Sequence, residues 1–281
     1  MRNSNLGLSR MRARRRRLFF IRASIILFFI LIIVFGLAIL SGNEKVKVQT
    51  VLVSGNAAVS TEDILNIVRR DMAGRYWHLF SRSNSILFPR LKVKADILNE
   101  ITVIRDLDIS WENWQTLSII IEERKPHSVW CGQDIKTPES NCYFVDKYGY
   151  IYDQAPSFSG SVYIKNYGSV ILTSNDVSQT SYIGNYYLPT DTYIQIFGLI
   201  QILGDNGLKI VSVFYDGFDC RFILEVGPEI IINSKEGFEL PLKNLLTAIK
   251  TKNLDLEKDA ATINYIDLRF DNKIVIGKKG E

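Results

Sequence analysis

The side chains that most often carry catalysis or bind metals are scarce in this sequence. Its 281 residues include two histidines, His78 and His127, and three cysteines, Cys131, Cys142 and Cys220. Two histidines argue against a metal enzyme with several histidine ligands. Three cysteines are too few for a four-thiolate zinc site or a disulfide scaffold. No phosphate-binding loop, Gly-rich dinucleotide turn or His-Glu-x-x-His motif occurs. Carboxylate catalysis is the chemistry that the composition leaves open.

Asp267 and Arg269 are the pair that most resembles a catalytic arrangement. Residues two apart in a strand share a face, so a surface ion pair explains this spacing better than catalysis does. The pair therefore gives no reason to assign a reaction.

Cys131 and Cys142 enclose the short segment Gly132 to Asn141. Outside the cytoplasm these thiols can oxidise, and a bridge between them would stabilise the fold by about 2–3 kcal/mol through the loop that it closes. Two free thiols are one alternative. Zinc held with His127 is another, although it supplies three ligands where structural zinc takes four.

Cys220 is expected to stay unpaired. It alternates with Phe222 and Leu224, so all three side chains share one strand face. An unpaired cysteine in such a pattern behaves as a small core residue.

One apolar segment organises the rest of the chain. Ala23 to Leu40 is an uncharged run of 18 residues, and as a helix it covers roughly 27 Å, close to the thickness of a bilayer core. Seven arginines precede Leu18, whereas residues 41–60 carry only two lysines. The positive-inside rule then places the N-terminus in the cytoplasm and the residues after the span outside. A cleaved signal peptide and a buried helix of a soluble protein are the alternatives.

The basic tail, residues 1–22, holds eight arginines and no acidic residue, so the remainder of this +4 chain is net acidic. Its arginines set topology and contact anionic lipid. Nucleic-acid binding by Arg12 to Arg17 has no support from a fold signal.

The residues directly after the span predict a small sheet with two helices. Ser60 and Asp63 form a variant of the capping box at a helix start, and Pro89 suits the first turn of a second helix. The expected elements are a strand at Val46–Val53, helices from Ser60 to Arg70 and from about Pro89 to Asn99, and strands at Ile101–Ser110 and Thr116–Glu123 joined by a turn at Trp111–Gln115.

The remainder is strand-rich, with a weakly patterned stretch at 166–188. A helix over about Asp191–Leu203 is predicted, apolar at Ile194, Phe197, Ile200 and Ile202, with Thr190 as its cap. The other expected elements are strands at Ser128–Trp130, Cys142–Val145, Tyr150–Tyr152, Val162–Lys165, Lys209–Tyr215, Arg221–Val226, Glu229–Asn233, Thr262–Phe270 and Lys273–Ile276, and a helix near Leu242–Lys252.

Four segments in this order behind a single span resemble the FtsQ/DivIB family of bacterial cell-division proteins, and the resemblance covers nearly the whole chain. They are the strand and turn Val51–Asn56 before the helix start, the E-R-x-P-like Ile121–Pro126, the F-x-D-x-x-G-like turn Tyr143–Tyr152, and the D-L-R-aromatic strand Tyr265–Phe270.

The resemblance implies an α+β fold in four parts. These are a basic cytoplasmic tail (1–22), a transmembrane helix (23–40), a POTRA-like domain of a small sheet with two helices (44–125), and a mixed β-rich, partner-binding domain with helices (126–281). It also implies a non-enzymatic bitopic scaffold at the division site. Such a scaffold has no catalytic residue, cofactor or metal, and it binds single-span partners of the FtsB/FtsL type.

The predicted partner contact lies at the last strand, because Ile274-Val275-Ile276 is an apolar run without the charge or proline that usually protects an edge. Such an edge suits β-addition by a partner. The D-L-R-aromatic segment also lies at the partner-binding edge of the family. The predicted contact residues are Arg269, Phe270, Asn272, Ile274 and Ile276, with Phe270 as the main anchor.

Two other functions stay open. The chain could be another membrane-anchored, POTRA-bearing interaction protein in envelope assembly or secretion. It could also be an anchored cell-wall hydrolase, which would need a carboxylate or thiol in a deep cleft.

Overall fold

The protein is an α+β protein of two compact units, Met1–Glu123 and Arg124–Glu281. The described residues contain five α-helices and three sheets. A computed structural model describes residues 5–136, 138, 141–157, 161–172, 182–252, 256, 258–270 and 273–279.

The first unit begins with α1 (Asn5–Ser41), whose part Arg17–Ser41 is long and apolar enough to cross a membrane. Its apolar side chains are exposed rather than packed on the rest of the unit. The helix ends in a polar clamp. The backbone N–H of Ser81 donates to Ser41 Oγ (3.3 Å), and Asn84 Nδ2 donates to the Ser41 carbonyl (3.2 Å). This clamp attaches the end of α1 to the folded part of the unit.

A three-stranded sheet with two helices forms the rest of the first unit. In the strand order β1-β5-β4, β1 is parallel to β5 and β4 is antiparallel to it. The elements are β1 (Thr50–Ser54), α2 (Thr61–Met72), β2 (Arg75–Tyr76), β3 (Phe80–Ser81), α3 (Arg90–Glu100), β4 (Ile104–Asn113) and β5 (Thr116–Glu123), after a 3₁₀ turn at Glu44–Val46.

The order strand, helix, helix, strand, strand is the predicted one, with the short β2–β3 hairpin added between the helices. Ser60 caps α2 as expected, because its Oγ accepts the N–H of Glu62 (3.2 Å). Both helices pack on one face of the sheet through a shared apolar core that includes Ile64, Val93 and Ile119.

The β4–β5 turn is tighter than predicted. β4 continues through Trp111 to Asn113, where the Asn113 Oδ1 accepts the N–H groups of Gln115 and Thr116 (both 2.9 Å). An asparagine that bonds the backbone two residues ahead closes a turn by itself. The predicted five-residue connection was therefore wrong.

Glu123 ties the end of β5 to the loop after β1. Its carboxylate accepts the backbone N–H groups of Ala57, Ala58 and Val59 at 2.7–3.0 Å. Burial alone would raise the pKa of Glu123, but these three hydrogen bonds more than offset it and lower the pKa. The first glutamate of the E-R-x-P-like segment, Glu122, instead forms an ion pair with Arg105.

The second unit is built on a nine-stranded mixed sheet in the order β14-β13-β12-β11-β10-β9-β6-β7-β8. Its elements are β6 (Ser128–Trp130), β7 (Tyr143–Val145), β8 (Ile151–Gln154), β9 (Lys165–Gly168), α4 (Thr190–Asp205), β10 (Ile210–Tyr215), β11 (Asp219–Leu224), β12 (Glu229–Asn233), α5 (Glu239–Lys252), β13 (Ile263–Phe270) and β14 (Lys273–Lys278), with 3₁₀ turns at Ser234–Glu236 and Lys258–Ala261.

The stretch 166–188 was predicted to be the least structured, yet it contributes β9. This strand lies inside the sheet, where it pairs in parallel with both β6 and β10. The burial of Asn166 and Tyr167 follows from those pairings. Residues 173–181 of the same stretch lie outside the described residues.

The buried face of α4 includes only part of the apolar set named from the sequence. Ile200 is buried together with Tyr193, Ile196 and Leu199, whereas Ile194 and Ile202 are exposed. The helix has more apolar residues than one face holds, so apolar type alone did not identify its inner side. Thr190 does not cap the helix, since its Oγ1 donates to the Tyr148 carbonyl (3.2 Å).

Candidate partner-binding edge

The last two strands form one end of the nine-stranded sheet. β13 pairs with β12 on one side and with β14 on the other, and no described strand pairs with the second side of β14. An unpaired edge presents a row of backbone N–H and C=O groups that can pair with another chain.

Backbone alternation tells which groups of β14 face that open side. The N–H of Lys279 donates to the Thr262 carbonyl (2.9 Å), so it points toward β13. Neighbouring residues of a strand point these groups in opposite directions. The pairing with β13 shifts twice, but both extra residues lie in β13, so the alternation along β14 continues. The backbone groups of Ile274, Ile276 and Lys278 therefore face outward.

The side chains of β14 follow the same alternation. Those of Ile274 and Ile276 are partly buried against the core of the unit, so these two predicted contact residues offer their backbone rather than free side chains. Val275 lies on the other face and is 40% exposed. Val275 was not predicted, although period-two alternation marks it once Ile274 is assigned to the core.

Phe270 and Arg269 end β13 beside this edge. Phe270 is 51% exposed and lies opposite Lys273 in the register of the pair. The pairing shifts between Asp267 and Phe270, and such a bulge redirects side chains at a sheet edge. Asn272, the remaining predicted contact residue, lies outside the described residues.

Asp267 and Arg269 interact, but not as a surface pair. Asp267 is only 5% exposed. The Arg269 guanidinium donates to both of its carboxylate oxygens, with Nη2 to Oδ2 at 2.6 Å and Nε to Oδ1 at 3.0 Å. Arg269 Nη1 also donates to Asp219 Oδ2 at 2.6 Å. The prediction of a plain surface pair was wrong, because Arg269 reaches across β12 to a second carboxylate on β11.

The hydrogen bonds of this cluster favour the charged forms of Asp267 and Arg269. Burial raises the pKa of Asp267, and the hydrogen bonds from Arg269 reverse that effect, so the pKa lies below its usual value. The same bonds, to Asp267 first and then Asp219, raise the pKa of Arg269. Asp219 was missed by the sequence reasoning because 50 residues separate it from Arg269.

A second polar cluster carries two of the family-like segments. Arg124 Nη1 lies 2.5 Å from Asp146 Oδ2 in a mostly buried ion pair, and the guanidinium lies over the Tyr150 ring, 4.0 Å from its centre. Asp146 Oδ1 also accepts the N–H groups of Tyr148 and Tyr150. The E-R-x-P-like segment and the F-x-D-x-x-G-like turn are thus joined by one buried pair, which has a structural role.

The exposed His127 joins a hydrogen-bond network with Tyr193 and Ser128 rather than a site with the cysteine pair. Its Nδ1 lies 3.1 Å from Tyr193 Oη, which in turn lies 2.8 Å from Ser128 Oγ. Burial lowers the pKa of His127, partly opposed by the charge of Asp146. Within the described part of the chain, no group of three or more His, Cys, Asp or Glu side chains is placed to hold a metal ion.

The structure joins Cys131 and Cys142 by a disulfide bond. Cys131 is buried in a small apolar cluster on the sheet face opposite α4, with Val129 and Tyr167. Cys220 is a free cysteine buried in the main core with Phe222 and Leu224, as the alternation predicted.

Known proteins give no further assignment for these sites. No model of a known protein family matches the chain, and no curated protein matches it either.

Proposed function

We propose that this protein is a membrane-anchored, non-enzymatic scaffold of the bacterial divisome. In this proposal it belongs to the FtsQ/DivIB family and holds single-span partners of the FtsB/FtsL type. The observation that carries the proposal is the open β14 edge. An edge strand with outward backbone groups and exposed apolar side chains is suited to β-addition.

Three further features support it. The arginine-rich tail and the apolar helix favour a single span with the residues after Ser41 outside. The order β1, α2, α3, β4, β5 with two helices on one sheet face agrees with a POTRA-like domain. The four family-like segments lie at the first strand and turn, the two ends of the Arg124–Asp146 pair, and β13.

In the proposed complex, a strand of the partner pairs with β14 through the backbone of Ile274, Ile276 and Lys278. Each such hydrogen bond contributes only about 0.5–1.5 kcal/mol net, so side chains must set affinity and register. Phe270 is the main anchor, because buried aromatic side chains dominate interface energies. Val275 adds a second apolar contact on the exposed face.

Localisation tests the cellular role. A fluorescent protein fused to the cytoplasmic N-terminus should accumulate at midcell during constriction in the native bacterium. An even distribution along the envelope would contradict the divisome role and favour the alternative of an anchored interaction protein in envelope assembly or secretion.

Binding tests the edge. The full-length protein in detergent should bind the extracytoplasmic segment of the partner, and Phe270→Ala should weaken this binding by about tenfold or more, as expected for an interface hot spot. Ile276→Pro should weaken it similarly, since proline removes an outward N–H.

The matched control is Val162→Asp, which changes an exposed valine three residues before β9 and should leave binding unchanged. Thermal melts of each variant report on folding. Normal binding by both Phe270→Ala and Ile276→Pro would place the interface elsewhere.

A further inference from the structure

An apolar groove lies against the last turn of α1, in the first unit. Its volume is about 520 Å³. One wall is formed by Leu37 and Leu40 of the helix, and the other is formed mainly by Trp77, Phe80 and Ile86. Trp77 is 85% exposed and Ile86 is 74% exposed. Large apolar side chains this exposed, and gathered in one place, mark an interaction surface.

The tip of the β2–β3 hairpin holds Trp77 outward. Trp77 and His78 have φ values of +47° and +61°, which non-glycine residues rarely adopt. The left-handed pair reverses the chain between Tyr76 and Phe80. A tryptophan held at an exposed tip by this backbone conformation is more consistent with a surface contact than with a residue of the core.

A second aromatic turn lies beside the same end of the helix. Trp111 and Trp114 are exposed at the β4–β5 turn. The next residue, Gln115, donates from Nε2 to the carbonyl of Glu44 (3.3 Å), three residues after the end of α1. Three of the four tryptophans of the chain are therefore exposed in the first unit near the exit of the apolar helix, whereas Trp130 is fully buried.

The position of the groove relative to the membrane surface follows from its place on α1. Leu37 lies four residues before Ser41, which is about 6 Å along a helix axis. A groove wall made by Leu37 and Leu40 thus belongs to the last turn of a segment long enough to cross a membrane. Tryptophan is enriched at this level, where its ring meets headgroups and the upper acyl chains.

We propose that this end of the first unit enters the outer leaflet of the membrane. Phospholipid acyl chains fill the groove between α1 and the β2–β3 hairpin, and Trp77, Trp111 and Trp114 form an interfacial belt around the exit of the helix. The inference rests on the span of the proposed function but does not need the divisome role. A membrane-dipping surface would hold the first unit directly on the bilayer.

The test uses full-length protein in nanodiscs of phosphatidylethanolamine and phosphatidylglycerol, one chain per disc. A nitroxide is attached to Trp77→Cys, Ile86→Cys, Ile30→Cys or Ala58→Cys. Cys131 and Cys142 are bonded and Cys220 is buried, so the introduced thiol is the one that reacts. Ile30 lies in the middle of the span. Ala58 is exposed at the end of β1 away from the helix and serves as the aqueous control.

The measurement is the ratio of each label's collision rate with oxygen, which concentrates in lipid, to its collision rate with a water-soluble nickel chelate. This ratio should be several-fold higher at positions 77 and 86 than at position 58. A ratio as low as that of position 58 at both 77 and 86, with a high ratio at position 30, would overturn this inference and leave the span intact. A low ratio at position 30 would overturn both the inference and the span.

Two other occupants have distinct outcomes. In discs that hold two labelled chains, spin–spin broadening at position 77 would indicate a second copy of the chain. Protection of position 77 only after a partner helix is added would indicate that helix. Either result would overturn the lipid proposal.

Discussion

Asp267 is a buried carboxylate whose ion pair serves the fold. Its charge is compensated by Arg269, and Arg269 is shared with Asp219. An acidic group on a partner would have to compete with both carboxylates for the guanidinium. Arg269 therefore contributes more to holding β13 and β11 in position than to steering a partner.

We expect Arg269→Ala to lower the free energy of unfolding by about 2 kcal/mol at pH 7, because Asp267 would stay buried without its charged donor. In the native protein the pKa of Asp267 is lowered. The pair's stabilisation is therefore complete above its unfolded value of 3.8 and is lost as pH falls through the folded pKa.

In the variant, burial without its partner raises the pKa of Asp267, so the deficit should shrink between pH 7 and pH 4.5. Denaturant unfolding of the detergent-solubilised protein at the two pH values measures this. Arg221→Ala, which removes a half-exposed arginine 3.8 Å from Glu229, is the control and should change stability by less than about 0.5 kcal/mol. A pH-independent deficit would contradict the account.

His127 should make the second unit less stable in mild acid. Burial lowers its pKa in the folded state, so above the ordinary value near 6.5 both states are neutral and the fold keeps its full stability. As pH falls below that value, the unfolded chain binds the proton first and stability falls until the folded pKa is reached.

The measurement is the thermal midpoint between pH 7.5 and pH 5.5. The midpoint should fall in the native protein and fall less in His127→Gln. His78→Gln changes the other histidine of the chain and is the matched control. Equal slopes for His127→Gln and the native protein would show that His127 is not the group responsible.

The element on which the proposed function depends is β14, whose two sides differ in their pairing. Its inner side completes the sheet through β13, and its outer side is unpaired among the described residues. Because backbone groups alternate along β14, proline should destabilise the strand at one position and have little effect on stability at the next. This difference can be tested without a partner.

Val275→Pro should destabilise the pairing with β13, because the Val275 N–H points inward and the lost bond contributes about 1 kcal/mol. Ile276→Pro should do little more than Ile276→Ala, which reports the lost side-chain packing alone. Thermal melts and protease cleavage at the C-terminal strand compare the pairs Val275→Pro/Val275→Ala and Ile276→Pro/Ile276→Ala. A larger proline effect at Ile276 than at Val275 would mean that the backbone orientation is the reverse, and equal effects would contradict the alternation.

Local signals in the sequence were sufficient for elements whose ends are set by neighbouring residues. Ser60 starts α2 as predicted. The exposed side chain of Val275 follows from alternation with the partly buried side chain of Ile274. Contacts between distant residues were not readable. Asp267 is buried because Arg269 also reaches Asp219, and α4 turns Tyr193 inward because Ser128 and His127 lie there to bond it. These choices depend on tertiary packing that no local pattern encodes.

On the scale of the whole chain, orientation across the membrane determines whether the residues after the span lie in the cytoplasm or in an oxidising compartment outside it. A reporter that fluoresces only in the cytoplasm should be silent after Glu281 and active before Met1, because the positive-inside rule predicts that the arginine cluster of residues 10–17 stays in the cytoplasm. Replacing those arginines by serine should produce a mixed orientation. Fluorescence from the fusion after Glu281 in the native sequence would overturn the topology.

The same orientation predicts the redox state of the cysteines. Protein recovered from the envelope should contain linked Cys131 and Cys142 peptides in a digest made without reduction. Reduction should lower the free energy of unfolding by about 2–3 kcal/mol. In the Cys131→Ser/Cys142→Ser variant, a reductant should leave the thermal midpoint unchanged. Alkylation of both thiols without reduction would contradict the prediction.

The clamp at Ser41 has a consequence for the rotation of α1 about its own axis. Because Ser81 and Asn84 bond to the last residue of the helix, the azimuth of α1 is fixed by the first unit. A helix turns about 100° per residue, so the folded unit selects which stripe of the span faces a neighbouring helix. One residue inserted into the span would turn its cytoplasmic half by about 100°, whereas four would restore the phase to within about 40°.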